Sequence, residues 1–208
     1  KKQVFFIKPY QKQFAEEISK TGINVQYRDG KDFENYELSN KQFKALGAMN
    51  ARWEIYERWI NKNGYDNFEN YDKLLNDIND TTNIKIIAHI NNFVYRGKDI
   101  TINEEPEFEG VSQFIKKLQA RYSNIKYYQI MNEVNCYVSY LSSYINKDDI
   151  SSYSKLIEYL EKNNNDAQIL TAGTALVDDK DKQISSLNFY KYMNETGGLD
   201  KCNHIAFH

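Results

Sequence analysis

An amide and a carboxylic acid directly follow a strand-like segment in the middle of the chain. Residues 127–131 are mostly apolar and aromatic, and Asn132 and Glu133 come next. Partial burial at a strand end raises the pKa of a carboxyl group. A carboxylic acid that stays protonated near neutral pH can protonate a leaving sugar oxygen. Glu133 is therefore a candidate acid/base, although the dipeptide alone also fits an ordinary loop start after a strand.

The elements that must position Glu133 alternate between short apolar runs and amphipathic stretches. The patterns predict strands at 22–28, 49–56, 84–90, 125–131, 168–172 and 203–208. They predict helices at 39–46, 66–79, 109–121, 148–163 and 184–195. Such alternation predicts a parallel sheet with helices outside it. No Gly-x-Gly-x-x-Gly or phosphate loop follows a strand, which argues against a nucleotide-binding Rossmann fold. The fold class predicted is α/β, a (β/α)8 TIM barrel present as an incomplete six-strand portion.

Composition limits the classes of partner. The 208 residues are 41% hydrophobic, so a sizeable core is expected. Lys and Arg number 27 against 29 Asp and Glu, and no basic stripe stands out, so no nucleic-acid partner is predicted. No run of about 18 apolar residues occurs, so no membrane span is predicted. No signal peptide is visible at Lys1, and the compartment stays open, an extracellular one included.

The chain divides into two predicted parts. Residues 1–21 stand apart as an N-terminal extension or an element at the barrel bottom, and residues 22–208 form the barrel portion. The strand assignment puts Cys136 and Cys202 at opposite ends of the sheet, so no disulfide is expected between them. Three histidines without close spacing predict no metal site, and no cofactor is predicted.

The strand endings resemble those of the clan A glycoside hydrolases, which share a (β/α)8 barrel. In that clan the fourth strand ends in Asn-Glu, and the run that ends at Asn132-Glu133 is the fourth from residue 22. Residues 46–55 look like the clan's passage from helix one to strand two, with Arg52 at the place of an active-site arginine. The endings at His89 and His208 look like those of strands three and six. The xylosidase and iduronidase branch is the most similar, with the cellulase-like branch next.

The resemblance implies a retaining glycosidase acting on an oligo- or polysaccharide. Glu133 would protonate the glycosidic oxygen and later activate water, and Asn132 would hydrogen-bond the sugar 2-hydroxyl. The clan's nucleophile is a Glu at the end of strand seven, whereas residue 208 lies in the predicted strand six. The nucleophile is therefore expected after residue 208.

Strand-end and loop positions on the same face are the expected substrate-binding residues: Asn132, Arg52, His89, His208, Asn135 and Trp59. Several have a structural alternative. Arg52 shares a strand face with Glu54 and would form an ion pair with it or with another strand-end acid, and His89 would be a satisfied strand-end histidine. Trp53 alternates with Arg52 and is expected in the core, whereas Trp59 follows the strand and would stack on a sugar.

Six strands do not close a barrel, and open sheet edges are prone to aggregation. The edges therefore require the remainder of the barrel or another subunit.

Two other functions fit the same pattern. A non-catalytic carbohydrate-binding or structural module on a degenerate barrel is the alternative to an enzyme, and a transglycosylase is a third interpretation. The sugar and the linkage are not determined by the sequence.

Overall fold

The site rests on a parallel β-sheet. The structure, a computed structural model, describes residues 22–25, 36–46, 50–56, 68–81, 84–91, 94–95, 98–99, 105–136, 145, 147–181 and 183–206. Within them the strands are β1 Gly22–Val25, β2 Asn50–Tyr56, β3 Lys85–Asn91, β4 Val94–Tyr95, β5 Lys98–Asp99, β6 Tyr127–Ile130 and β7 Gln168–Leu170. The sheet has the order β1-β2-β3-β6-β7, and every neighbouring pair is parallel. The strands β4 and β5 pair with each other as a separate antiparallel hairpin.

Within the described residues, five α-helices alternate with these strands, as the amphipathic patterns predict. They are α1 Tyr36–Leu46, α2 Glu69–Thr81, α3 Glu105–Arg121, α4 Ile150–Asn163 and α5 Ser186–Glu195. Helix α3 begins at Glu105, before the predicted start at residue 109. Pro106 is tolerated in its first turn, because the backbone N–H groups there have no acceptor within the helix. Ser185 caps α5 by accepting a hydrogen bond from the backbone N–H of Asn188.

One face of the sheet packs against the helices and forms the core. Buried apolar residues alternate along the central strands on this face: Ala51, Trp53, Ile55, Ile86, Ala88, Ile90, Tyr128 and Ile130. Trp53 is 1% exposed and meets Phe43 of α1 edge-on, with 6.1 Å between the ring centroids. The prediction that Trp53 belongs to the core is confirmed. The residues between these positions therefore point to the opposite face, which is the inner face of a barrel.

The predicted sixth strand is only partly present in the described residues. His204 forms a single parallel bridge to Leu170, with hydrogen bonds from Thr171 N to His204 O and from His204 N to Ile169 O. Residues 203–206 thus lie beside β7 in the expected direction, but they form a bridge and not a strand. Residues 207 and 208 and the predicted extension 1–21 lie outside the described residues, so the predicted domain bounds stay predictions.

The described chain is an α/β fold, a parallel sheet with helices that makes an incomplete barrel. The β4–β5 hairpin lies between the predicted strand 84–90 and the predicted helix 109–121, where the sequence predicts no element. A strand of two residues is too short to show an alternating pattern. Among the described helices, none combines the length and the apolar character needed to cross a bilayer.

Candidate active site

The backbone at the end of β6 takes an unusual course around Asn132. Met131 has φ 68° and Glu133 has φ 48°, both in the left-handed region. A residue other than glycine rarely adopts it, the cost is about 1–3 kcal/mol, and such residues cluster at functional sites. The segment is nevertheless held on both sides, since Met131 N donates to Ile90 O and Glu133 N to Gly173 O. The backbone that carries the half-buried side chains of Asn132 and Glu133 is therefore held at the carboxyl end of the sheet.

Arg52 ties Asn132 to the inner face of the sheet. Its Nε donates to Gln129 Oε1 (2.6 Å) and its Nη2 to Asn132 Oδ1 (2.8 Å). Its Nη1 donates to Asn24 Oδ1 (2.8 Å) on β1. Arg52 thus donates to the oxygen of the Asn132 amide, and the NH2 group of that amide is a hydrogen-bond donor.

His89 and Glu54 form a buried pair in the same layer of the sheet. Glu54, His89 and Gln129 are register partners on β2, β3 and β6. His89 is 0% exposed and Glu54 4% exposed, and 3.6 Å separates His89 Nδ1 from Glu54 Oε1. The structure therefore places the imidazole against a buried carboxyl group, a placement that fits the structural alternative for His89 better than a substrate contact.

Asn135, expected at the substrate, has a structural position instead. Its side chain is 0% exposed, and its Nδ2 donates to Ala175 O (2.9 Å) and Ile184 O (2.8 Å). Its Oδ1 accepts from Ala175 N at 2.8 Å. One amide thus satisfies three backbone groups of the loop after β7 and fastens that loop to the segment that carries Glu133. The sequence-based expectation for Asn135 is corrected for this reason.

Replacing Asn135 with Ala is expected to lower the free energy of unfolding by about 1–3 kcal/mol, because Ile184 O and Ala175 N lose their hydrogen bonds to the amide, whereas Ala175 O keeps the one from Ser186 Oγ. Urea denaturation followed by circular dichroism measures the change. The exposed Asn165, in the turn after α4, supplies the matched control Asn165→Ala. Equal stability of the two variants would contradict the role given to Asn135.

The remaining candidates are distributed unevenly. Arg52, Asn132, Glu133 and His89 gather at the inner face and the carboxyl end of the sheet, whereas Trp59 and His208 lie outside the described residues. Within the described chain, no three His, Cys, Asp or Glu side chains converge as metal ligands.

Cys136 adjoins the site as a free thiol. Burial raises the pKa of the Cys136 thiol, and the negative charge of Glu133 raises it further. Because the thiolate is the nucleophilic form, Cys136 is unsuited to attack a substrate.

Gln129 is a residue of the site that the sequence-based reasoning missed. It is 2% exposed and contacts both Arg52 and the Met131 carbonyl. The available signal was an amide inside an otherwise apolar and aromatic run. A buried amide requires hydrogen-bond partners. For Gln129 these partners are the Arg52 guanidinium and the Met131 carbonyl, which both adjoin Asn132.

Comparison with known proteins gives a fold and no sequence family. No family model matches the chain, and no curated protein is similar in sequence. Among solved structures, the chain is similar to a GH39 β-xylosidase from Caulobacter crescentus, with TM-score 0.53, 15% identity and coverage of 90% of this chain and 45% of that one. A β-1,4-D-mannanase from Cryptopygus antarcticus gives TM-score 0.50 and 13% identity over 87% of this chain and 64% of that one.

A psychrophilic β-glucosidase from Micrococcus antarcticus gives TM-score 0.52 and 9% identity, covering 70% of this chain and 35% of that one. The chain spans less than two thirds of each of these three structures. At such identities the likeness concerns the fold. The fold is that of a (β/α)8 barrel, as the alternating strands and helices predict, and the described residues form an incomplete barrel.

Proposed function

We propose that this chain is part of a glycosidase that hydrolyses O-glycosyl bonds with retention, with Glu133 as the acid/base. The observation that supports the proposal is the Asn132–Glu133 pair at the carboxyl end of the fourth parallel strand, where Arg52 binds the amide of Asn132. Barrels of this kind carry their active sites at the carboxyl ends of the strands. The fold of similar glycosidases adds support for a carbohydrate substrate.

In the proposed reaction, Glu133 donates its proton to the leaving glycosidic oxygen and then takes a proton from the attacking water. The amide NH2 of Asn132 donates to the sugar 2-hydroxyl, a contact that strengthens in the transition state. Arg52 holds that amide in the donating orientation. Its positive charge would also favour the ionised form of the nucleophilic carboxylate, since a nearby cation lowers the pKa of a carboxyl group.

A retaining mechanism requires a second carboxylate about 5–5.5 Å from the first. Glu54 is a poor nucleophile because the residue is 4% exposed and its carboxyl group lies against His89. We therefore propose that the nucleophile is a Glu at the end of a seventh strand, as in clan A.

The test is turnover and stereochemistry in the full-length protein. The names of the three similar structures contain β-xylosidase, β-1,4-D-mannanase and β-glucosidase. The first substrates to test are therefore para-nitrophenyl β-D-xyloside, β-D-glucoside and β-D-mannoside. We expect release of nitrophenol and, by proton NMR at early times, a sugar product with the β configuration of the substrate. An α product formed first would overturn retention. Binding of oligosaccharides by calorimetry without any turnover would favour the non-catalytic module.

A further inference from the structure

The side-chain amide of Gln129 is used at both ends inside the sheet. Its Oε1 accepts a hydrogen bond from Arg52 Nε at 2.6 Å, and its Nε2 donates to the carbonyl oxygen of Met131 at 3.2 Å. Gln129 is 2% exposed, so water does not replace these partners readily. An amide is the side-chain group that offers an acceptor to the guanidinium and a donor to the carbonyl at the same time.

These bonds close a ring around Asn132. Arg52 Nη2 donates to Asn132 Oδ1 at 2.8 Å, and Met131 is the residue directly before Asn132. One arm of the ring fixes the side chain of Asn132 through Arg52. The other arm holds the backbone that enters Asn132, where Met131 has its left-handed φ of 68°. Gln129 thus acts on both the position and the orientation of the Asn132 amide.

We propose that Gln129 is a positioning residue that orients the amide of Asn132 towards the 2-hydroxyl of the sugar, an inference that rests on the proposed function. Gln129 itself does not touch the substrate, since its amide is engaged within the sheet by Arg52 and Met131. A Glu at this position would keep the acceptor for Arg52 and lose the donor for the Met131 carbonyl. A Met would fill a similar volume and lose both.

The experiment compares a para-nitrophenyl glycoside that the full-length protein hydrolyses with its 2-deoxy counterpart. The ratio is kcat/KM for the glycoside with the 2-hydroxyl divided by kcat/KM for the 2-deoxy glycoside, and it measures how much the 2-hydroxyl contributes to transition-state binding. For Gln129→Met we expect this ratio to fall by about 10- to 100-fold, because a misplaced group loses its transition-state contact. Asn132→Ala should lower the ratio in the same way, and the double variant should lower it little further, since the two residues act as one unit.

A merely structural role would reduce both kcat/KM values equally and leave the ratio unchanged. Gln129→Glu, which keeps the Arg52 partner, should lower the ratio less than Gln129→Met and supplies the readout if the Met variant does not fold. The matched control is Gln168→Met, at a half-buried amide on β7, for which the ratio should stay unchanged.

An unchanged ratio in a folded Gln129 variant would overturn the positioning role. The result separates this inference from the proposed function. Retention of turnover by Glu133→Gln would reject the acid/base assignment itself, whereas an inactive Glu133→Gln together with an unchanged ratio would reject the role of Gln129 alone.

Discussion

The variant Glu133→Gln is expected to turn over an aryl glycoside about 10²- to 10⁴-fold more slowly than the parent protein, the range that a general acid/base contributes. The amide is nearly the same shape as the carboxylic acid, but its N–H protons are not acidic enough to be transferred to the leaving oxygen. The fold should stay intact, because the side chain keeps nearly the same shape and the backbone bonds from Glu133 N to Gly173 O and from Cys136 N to Glu133 O remain. The measurement is kcat in the full-length protein, with the melting temperature as the check on folding.

Two comparisons make this result specific. The loss should be larger for a substrate with a poor leaving group than for one with a good leaving group, because a good leaving group departs with little help from an acid. The control Glu109→Gln changes an exposed acid on α3 and should leave kcat unaltered. Unchanged turnover in Glu133→Gln would exclude Glu133 as the acid/base.

The variant Arg52→Lys is expected to lower kcat/KM by about 10²-fold, the loss that a misplacement near 1 Å can produce. The positive charge remains, so the loss would measure geometry. The guanidinium reaches Gln129, Asn132 and Asn24 through three different nitrogens. A lysine has a single nitrogen and a compact charge, so it cannot bind all of these amides in the same arrangement.

Arg121→Lys is the matched control for this substitution. Arg121 lies at the end of α3, is exposed and pairs with Asp72 of α2, away from the carboxyl ends of the strands. Its replacement should leave kcat/KM unaltered. If both substitutions had the same small effect, the ordering of Asn132 by Arg52 would be irrelevant to the reaction.

The sequence by itself determined the five strands of the parallel sheet, the helices that alternate with them and the position of Asn132 and Glu133. The strands and helices depend on apolar spacing within short windows, and this spacing is written in the chain. The strand that ends at Asn132 could therefore be recognised as the fourth of a parallel series, and Trp53 could be assigned to the core because neighbours along a strand point to opposite faces.

The tertiary structure decided the partners of each polar side chain. Asn135 binds a loop 40 and 49 residues away, and Arg52 binds Gln129 and Asn132 at separations of 77 and 80 residues. Contacts between residues so distant in sequence leave no periodic pattern in the chain. The left-handed backbone of Met131 and Glu133 likewise depends on the neighbouring strands that hold it, because neither residue type favours that conformation by itself. The sequence thus placed the acid at its strand end, and the packing of the strands decided which residues orient the amide beside it.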